Sequence, residues 1–415
     1  MRILLTALCG AVLALAGCTA SSGGGRTGSA SVAPLTGTVT RTTTRTATSS
    51  PPVSSTARTS GSTSGAPGRV APKLTNFRIA DVTFVGDQAW ALGTADCLSG
   101  SGSDCSALEH SANGGRTWSS LPTPVTTVQS PFNAASCAGS CVEHVRFATA
   151  KVGYLYGNRA SGRGPNFFTT ADGGRTWRVA PGQSAEALES LNGDVIRVVT
   201  STPGCPPACS YRVQTAPVGS LRWRAAPLPQ PTEATAVALS RVGTRSYLET
   251  YLNPAGGAES ARASLFVSTD GGRRWAFRGE PCPQDGRNEV DSTAMTTAPD
   301  GSLVVLCTPR DAQRNSFIAV STNGARSFHV ASRSALGAAP VSVLAAATSR
   351  LLVVSSDSTY RSSDGGRRFA RLGSPGQLGY AGFATTSLGH AVSSDGRTLW
   401  TTTDGGADWT AHRFS

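Results

Sequence analysis

Residues 268–275 read STDGGRRW, and close relatives of that string recur along the chain. They are SANGGRTW from 111, TADGGRTW from 170, STNGARSF from 321, SSDGGRRF from 362 and TTDGGADW from 402. A hydroxyl residue comes first, Asp or Asn third, Gly fifth (Ala in the copy from 321) and Trp or Phe eighth. Each position has a physical role. The Asp or Asn side chain folds back onto the following backbone N–H groups, and the hydroxyl two residues earlier closes the same turn. Glycine supplies the positive φ at which a chain reverses between two strands. The aromatic starts the outgoing strand and has the surface to fill a gap between neighbouring sheets. The positions so marked are Asn113 and Trp118, Asp172 and Trp177, Asp270 and Trp275, Asn323 and Phe328, Asp364 and Phe369, and Asp404 and Trp409. A seventh, degraded copy reads TAPVGSLRW over 215–223, where Pro217 replaces the acid and one extra residue precedes Trp223. The seven aromatics recur every roughly 40–60 residues, the length of a four-stranded blade. The spacing predicts an all-β chain, a seven-bladed propeller whose blades are antiparallel.

A second element precedes the turns: DVTFVGDQAWALG from 81, HVRFATAKVGYLYG from 144 and YAGFATTSLGHAVS from 380. Two alternating apolar runs around a short polar reversal describe the first and second strands of a blade. The turn itself resembles the Asp-box, or bacterial neuraminidase repeat, which forms the hairpin between the third and fourth strands of a propeller blade. Turn and upstream element together are similar to the propellers of the photosystem II stability/assembly factor family, over residues 79–414. That resemblance implies a fold, and one fold hosts many activities.

The beginning of the chain predicts where the propeller works. MRILLTALCGAVLALAGC has one basic residue, Arg2, and an apolar run shorter than a bilayer span. It closes on Leu15, Ala16, Gly17 and Cys18, which match the lipobox of bacterial lipoproteins. Residues 1–17 thus read as a signal peptide, with Cys18 lipidated and the protein held on the extracytoplasmic face of a bacterial cell membrane. Residues 18–72 are rich in Ser, Thr, Gly and Pro and carry almost no large apolar side chain. Such a segment cannot offset its chain entropy by burial, so it predicts a disordered stalk, and its hydroxyls suit O-glycosylation. The propeller takes 73–415.

Cysteine usage fits export. Beyond Cys9 and Cys18, the sequence has Cys97 with Cys105, Cys137 with Cys141, Cys205 with Cys209, and Cys282 with Cys307, four pairs by proximity in an oxidising compartment. No His or acidic cluster accompanies the CxxxC pairs, so bridges are expected rather than a metal. If the repeated turn joins third to fourth strands, these cysteines fall on the opposite face, in connections between second and third strands or between blades. The longest loops fall there too, and they carry Arg159, Arg163, Arg310 and Arg314, the candidate binding residues. Stapled loops on one face suggest a pre-organised binding surface.

An enzymatic reading has weaker anchors. FRIA from 77 resembles the Phe-Arg-Ile-Pro string of sialidases, with Arg78 in the carboxylate-gripping position and Ala80 in place of proline. A retaining sialidase also needs a Tyr–Glu nucleophilic pair. YLETY from 247 brings Tyr247, Glu249 and Tyr251 onto one side of a strand, as simple alternation would. No phosphate loop, HExxH or GxSxG motif occurs, and the five histidines are scattered. No cofactor is expected. The formal charge of +12 suits anionic envelope polymers or lipid headgroups. Nucleic acid is not expected, since basic and aromatic residues do not interleave. The expected function is a monomeric, non-enzymatic binding or assembly platform for an envelope protein or polymer; the alternatives are an exo-sialidase or a non-catalytic glycan-binding module.

Overall fold

The structure is a computed structural model, describing residues 74–96, 104–125, 127–128, 141–157, 165–191, 193–201, 209–230, 232–252, 262–282, 290–309, 315–333, 336 and 341–414. Seven antiparallel sheets follow one another along the chain as a seven-bladed β-propeller. Their first strands are Thr75–Val85, His144–Phe147, Ala187–Leu191, Ala236–Val242, Val290–Thr297, Val343–Ala346 and Leu378–Phe383. These lie side by side around the centre, and each blade runs outward in chain order through its second, third and fourth strands. We number the blades 1–7 in that order. Among the described residues no helix is long and apolar enough to cross a membrane.

Burial follows from this radial arrangement. Second strands have a blade against both faces and are apolar nearly throughout, as in Leu303–Pro309 of blade 5. Outermost strands are short and wet, as in Arg178–Val179 of blade 2. Separate apolar clusters fill the clefts between neighbouring blades, and the repeated aromatics plug them. Trp118 packs where blade 7 meets blade 1, Trp177 between blades 1 and 2, and Trp275 between 3 and 4. Phe328, Phe369 and Trp409 do the same for the next three clefts. Trp223 of the degraded copy occupies the cleft between blades 2 and 3, where the Arg197 guanidinium lies 4.0 Å from its ring centre.

Among the described residues no strand is exchanged between the first and last blades. The described residues close the ring through side chains and a main-chain bond from the Ile79 N–H to the Gly396 carbonyl at 2.8 Å. Phe414 seals the seam, with its ring 5.1 Å from Phe77 and 5.4 Å from Trp118.

Two features go beyond the repeat. Blade 3 gains a fifth strand, Glu233–Ala234, which pairs with Cys209 and Ser210. Between blades 1 and 2, Thr127–Val128 pairs in parallel with Cys141–Val142. Val128 and Val142 help fill the cleft between those blades.

The turns are built from one repeated hydrogen-bond set. In the turn from 268, Ser268 Oγ donates to Asp270 Oδ1 at 3.0 Å and accepts from the Gly272 N–H at 2.9 Å. Asp270 Oδ1 accepts from the N–H groups of Arg273 and Arg274 at 3.1 and 2.9 Å. The Trp275 indole donates to the Gly272 carbonyl at 2.8 Å. Ser111 and Asn113 repeat the arrangement, as do Ser362 with Asp364 and Thr402 with Asp404. In the degraded turn other acceptors take over, with the Val218 N–H donating to the Gly193 carbonyl and the Gly219 N–H to the Tyr154 hydroxyl of blade 2.

These turns predict an acid response. The Asp364 and Asp404 carboxyls are held below their usual range first by the backbone N–H groups of Arg368 and Asp408. At Asp172 and Asp270 slight burial pulls upward, but the turn hydrogen bonds outweigh it and the net shift is also downward. A carboxyl lowered by folding contributes stability above its unfolded value of about 3.9 and loses it as pH falls through the folded value. Below about pH 4 the turns of blades 2, 4, 6 and 7 should therefore open to amide exchange before those of blades 1 and 5, where Asn113 and Asn323 do not titrate. Asp404→Asn should remove that response in blade 7, with stability at neutral pH within about 0.5 kcal/mol of the parent.

Candidate functional site

The strand directions put the repeated turns on one face, with the first-to-second-strand reversals. Connections between second and third strands, and between blades, open on the other, here the loop face. Cys282 follows the last strand of blade 4, Cys307 lies late in the second strand of blade 5, and the two are bridged with Cα atoms 5.7 Å apart. The bridge couples neighbouring blades at their loop-face ends. Cys105 and Cys209, near the starts of third strands, are also disulfide-bonded. Cys97, Cys137 and Cys205, expected near them, lie outside the described residues, as do Cys18, Arg159, Arg163, Arg310 and Arg314; Cys141 opens its short strand. Replacing Cys282 and Cys307 by serine should lower stability by about 3.5 kcal/mol, from the loop-closure entropy of a 25-residue separation, read as a lower urea midpoint.

At the centre of the ring the first strands carry a charged belt that sequence reasoning missed. Asp81 of blade 1 accepts the Val82 N–H at 2.9 Å and reaches across to blade 2, accepting the Val145 N–H at 2.8 Å. His144 Nδ1 lies 3.5 Å from Asp81 Oδ2, and its Nε2 lies 3.8 Å from Glu143. Arg146 of blade 2 faces Glu189 of blade 3 at 3.5 Å, and Glu189 faces Arg241 of blade 4 at 3.7 Å. The Arg241 carbonyl then accepts from Thr297 of blade 5 at 2.9 Å.

Burial sets the electrostatics of the belt. It works against the Arg146 cation, but the Glu189 carboxylate more than restores it. Burial pushes the Glu189 carboxyl up against the pull of both arginines, and pushes the Tyr156 phenol up as well. For His144 burial acts downward, and Asp81 with Glu143 outweighs it, so the imidazole titrates above its usual range. Chemically the belt is a set of fixed charges joining successive blades. Its more open members are Glu143, His144 and Arg241, whose side chains keep 23%, 17% and 15% exposure, against 1% for Glu189. A ligand entering from the centre would meet them first. One signal was legible: in HVRF the polar His144 and Arg146 alternate with Val145 and Phe147, which pack in the cleft between blades 1 and 2.

The enzymatic candidates do not assemble. Tyr247 is fully buried in the cleft between blades 4 and 5, and Glu249 and Tyr251 share its strand, Arg245–Leu252, the second of the blade. Arg78 sits half-buried at a register shift in the first strand of blade 1, between Phe77 and Ile79 of the seam.

The propeller is similar to a structure described as YCF48 bound to D1 peptide, with a TM-score of 0.52 and 16% identity over 81% of this chain and 95% of that one. In fold, the chain resembles YCF48. A second YCF48, from Cyanidioschyzon merolae, matches with a TM-score of 0.51 and 15% identity over 80% of this chain and 97% of its own. A Hadza microbial sialidase, Hz136, matches more weakly, with a TM-score of 0.40 and 15% identity over 60% of this chain and 66% of that one. No family model and no curated protein matches the chain.

Proposed function

We propose that the chain is a non-enzymatic binding or assembly platform for an envelope protein or anionic polymer, held on the extracytoplasmic face of a bacterial membrane by a lipid on Cys18. The observation that carries this reading is the bridging of blades 4 and 5 at their loop-face ends, with Cys105 and Cys209 oxidised at the same ends of blades 1 and 3. Cross-links there lower the entropy that the connecting loops lose on binding. The likeness to a YCF48 described as bound to D1 peptide adds that a ring of this fold can hold a peptide. Oxidised cysteines also agree with an exported protein.

The test is surface cross-linking of intact cells expressing the full chain. A discrete adduct, lost when Arg159, Arg163, Arg310 and Arg314 are all changed to alanine, is the expected result. The same adduct yield in that variant would remove these arginines from the binding surface. Cys18→Ala should abolish incorporation of a labelled fatty acid into the protein.

The second reading, a sialidase-type hydrolase, draws on the gathering of Asp81, Arg146, Tyr156, Glu189 and Arg241 at the ring centre, the residue types that such chemistry uses. Against it stands the sealing of Glu189 between two arginines. Turnover of a fluorogenic sialoside by the full chain, abolished in Arg241→Ala while Arg78→Ala retains it, would establish it; no turnover by folded protein is the result we expect.

A further inference from the structure

Three large apolar side chains are exposed among the described residues: Val179 at 47%, Phe277 at 41% and Leu221 at 40%. They fall on three successive blades. Val179 is on the outermost strand of blade 2, Leu221 in the turn leading into that of blade 3, and Phe277 on that of blade 4. Each has an exposed arginine as its chain neighbour, giving Arg178–Val179, Leu221–Arg222 and Phe277–Arg278. The adjoining turns add the exposed Arg175 and Arg274. Of the nearby acids, Asp172 and Asp270 are engaged by the amides of their own turns and Asp194 by Arg273; the exposed Glu280 past the strand of Phe277 offsets one of the five arginines and leaves the shoulder net positive.

From this we infer that the turn-side shoulder of blades 2–4 docks on an anionic lipid bilayer, with the arginines at the headgroups and the three apolar side chains in the interface. The inference rests on the proposed tether only for a membrane within reach. By composition 18–72 reads as a linker, and 55 residues of that kind would span about 40 Å as a random coil, a reach that would let the shoulder meet the surface. Charge complementarity selects an anionic partner, and the apolar side chains select a bilayer over a hydrated polymer, which has nothing to cover them. Three separate side chains are too little for a protein interface, which buries about 800 Å² per partner. Docking this way turns the loop face away from the lipid and leaves it open to a partner.

The test uses the full chain carrying Cys18→Ser, so that no acyl chain contributes, and vesicles of phosphatidylcholine alone or mixed with phosphatidylglycerol. The N-terminal segment, with its own arginines, is the same in every variant, so the readout is how the ratio of the two partition coefficients changes from the parent to each variant. Each surface arginine is worth roughly fivefold in binding to an anionic leaflet. The triple change Arg178→Ser, Arg222→Ser and Arg278→Ser should therefore lower the ratio by about a hundredfold. High salt should lower it too, and Val179→Ser with Leu221→Ser and Phe277→Ser should weaken binding to both vesicle types. The control is Arg326→Ser, Arg367→Ser and Arg368→Ser on blades 5 and 6, the same loss of charge elsewhere on the ring. A ratio near one, or equal losses in both arginine triples, overturns the inference. Retention on a soluble polyanion by a protein whose vesicle binding ignores the apolar triple assigns the shoulder to a polymer instead, which also overturns it. Lipidation of Cys18 is read separately by labelled fatty-acid incorporation into the unmodified chain, so the vesicle ratio and the tether stand or fall independently.

Discussion

Replacing Glu189 with alanine should destabilise the propeller by about 3–5 kcal/mol, among the largest losses any single change in this chain will produce. The reason is asymmetry. Glu189 is the one carboxylate standing between the buried Arg146 and the largely buried Arg241, at 3.5 and 3.7 Å. Deleting it leaves two guanidinium groups facing each other with their principal balancing charge gone and only the weaker pull of Asp81 on Arg146, in a place where water reaches Arg146 hardly at all. Glu189→Gln keeps the shape but not the charge, and its cost should approach that of alanine. The triple change Glu189→Leu, Arg146→Leu and Arg241→Met removes every charge at once and should recover most of the loss, because apolar side chains of similar volume replace a buried ionic network at little net cost. Urea midpoints of the three variants separate this account from one in which Glu189 merely fills space. A space-filling role predicts that Glu189→Gln is mild and that the triple change is the worst of the set. The local signature is equally specific: amide exchange should rise first along His144–Phe147, Ala187–Leu191 and Ala236–Val242, the strands that the belt joins.

That belt marks where the sequence stopped being legible. The turns could be read in advance because each is closed by residues two to four positions apart, as Ser268 with Asp270 and Gly272 shows, so local spacing carries the whole interaction. Counting such turns then gives the number of blades, even across the degraded copy at 215–223, where Trp223 still finds its cleft. Arg146 and Glu189, by contrast, meet only because two first strands lie side by side around the centre, and nothing in HVRF or ALESL names the other as partner. The fifth strand of blade 3 escaped for a related reason: Glu233–Ala234 is too short to show a period and is fixed by its pairing with Cys209 and Ser210. Among the cysteines, proximity picked Cys282 with Cys307 correctly, since the last strand of one blade ends beside the second strand of the next.

The second large effect should come from a single methyl group. Gly272→Ala is expected to cost about 2–5 kcal/mol, the sum of a left-handed backbone and an overpacked cleft. Gly272 has φ +82°, and a Cβ there would lie 2.6 Å from Cδ1 of Ile196, a fully buried side chain of the neighbouring blade. Neither the turn nor the cleft can move aside without loosening the Trp275 plug held by the Gly272 carbonyl. The equivalent residue in blade 5 is Ala325, which is buried and already accepts φ +62°. There the reverse change, Ala325→Gly, relieves about 1 kcal/mol of backbone cost and gives up about 0.8 kcal/mol of methyl burial, so the stability should barely shift. The remaining copies grade between these limits by the space each cleft leaves. A Cβ at Gly406 would meet Val353 at 2.9 Å and one at Gly366 would meet Ile318 at 3.3 Å, so Gly→Ala costs should fall in the order 272, 406, 366. Thermal unfolding of the four variants reads this directly. Equal losses at 272, 406 and 366 would mean that the backbone conformation alone sets the cost; the graded order would mean that close approach of neighbouring blades is what reserves this position for glycine.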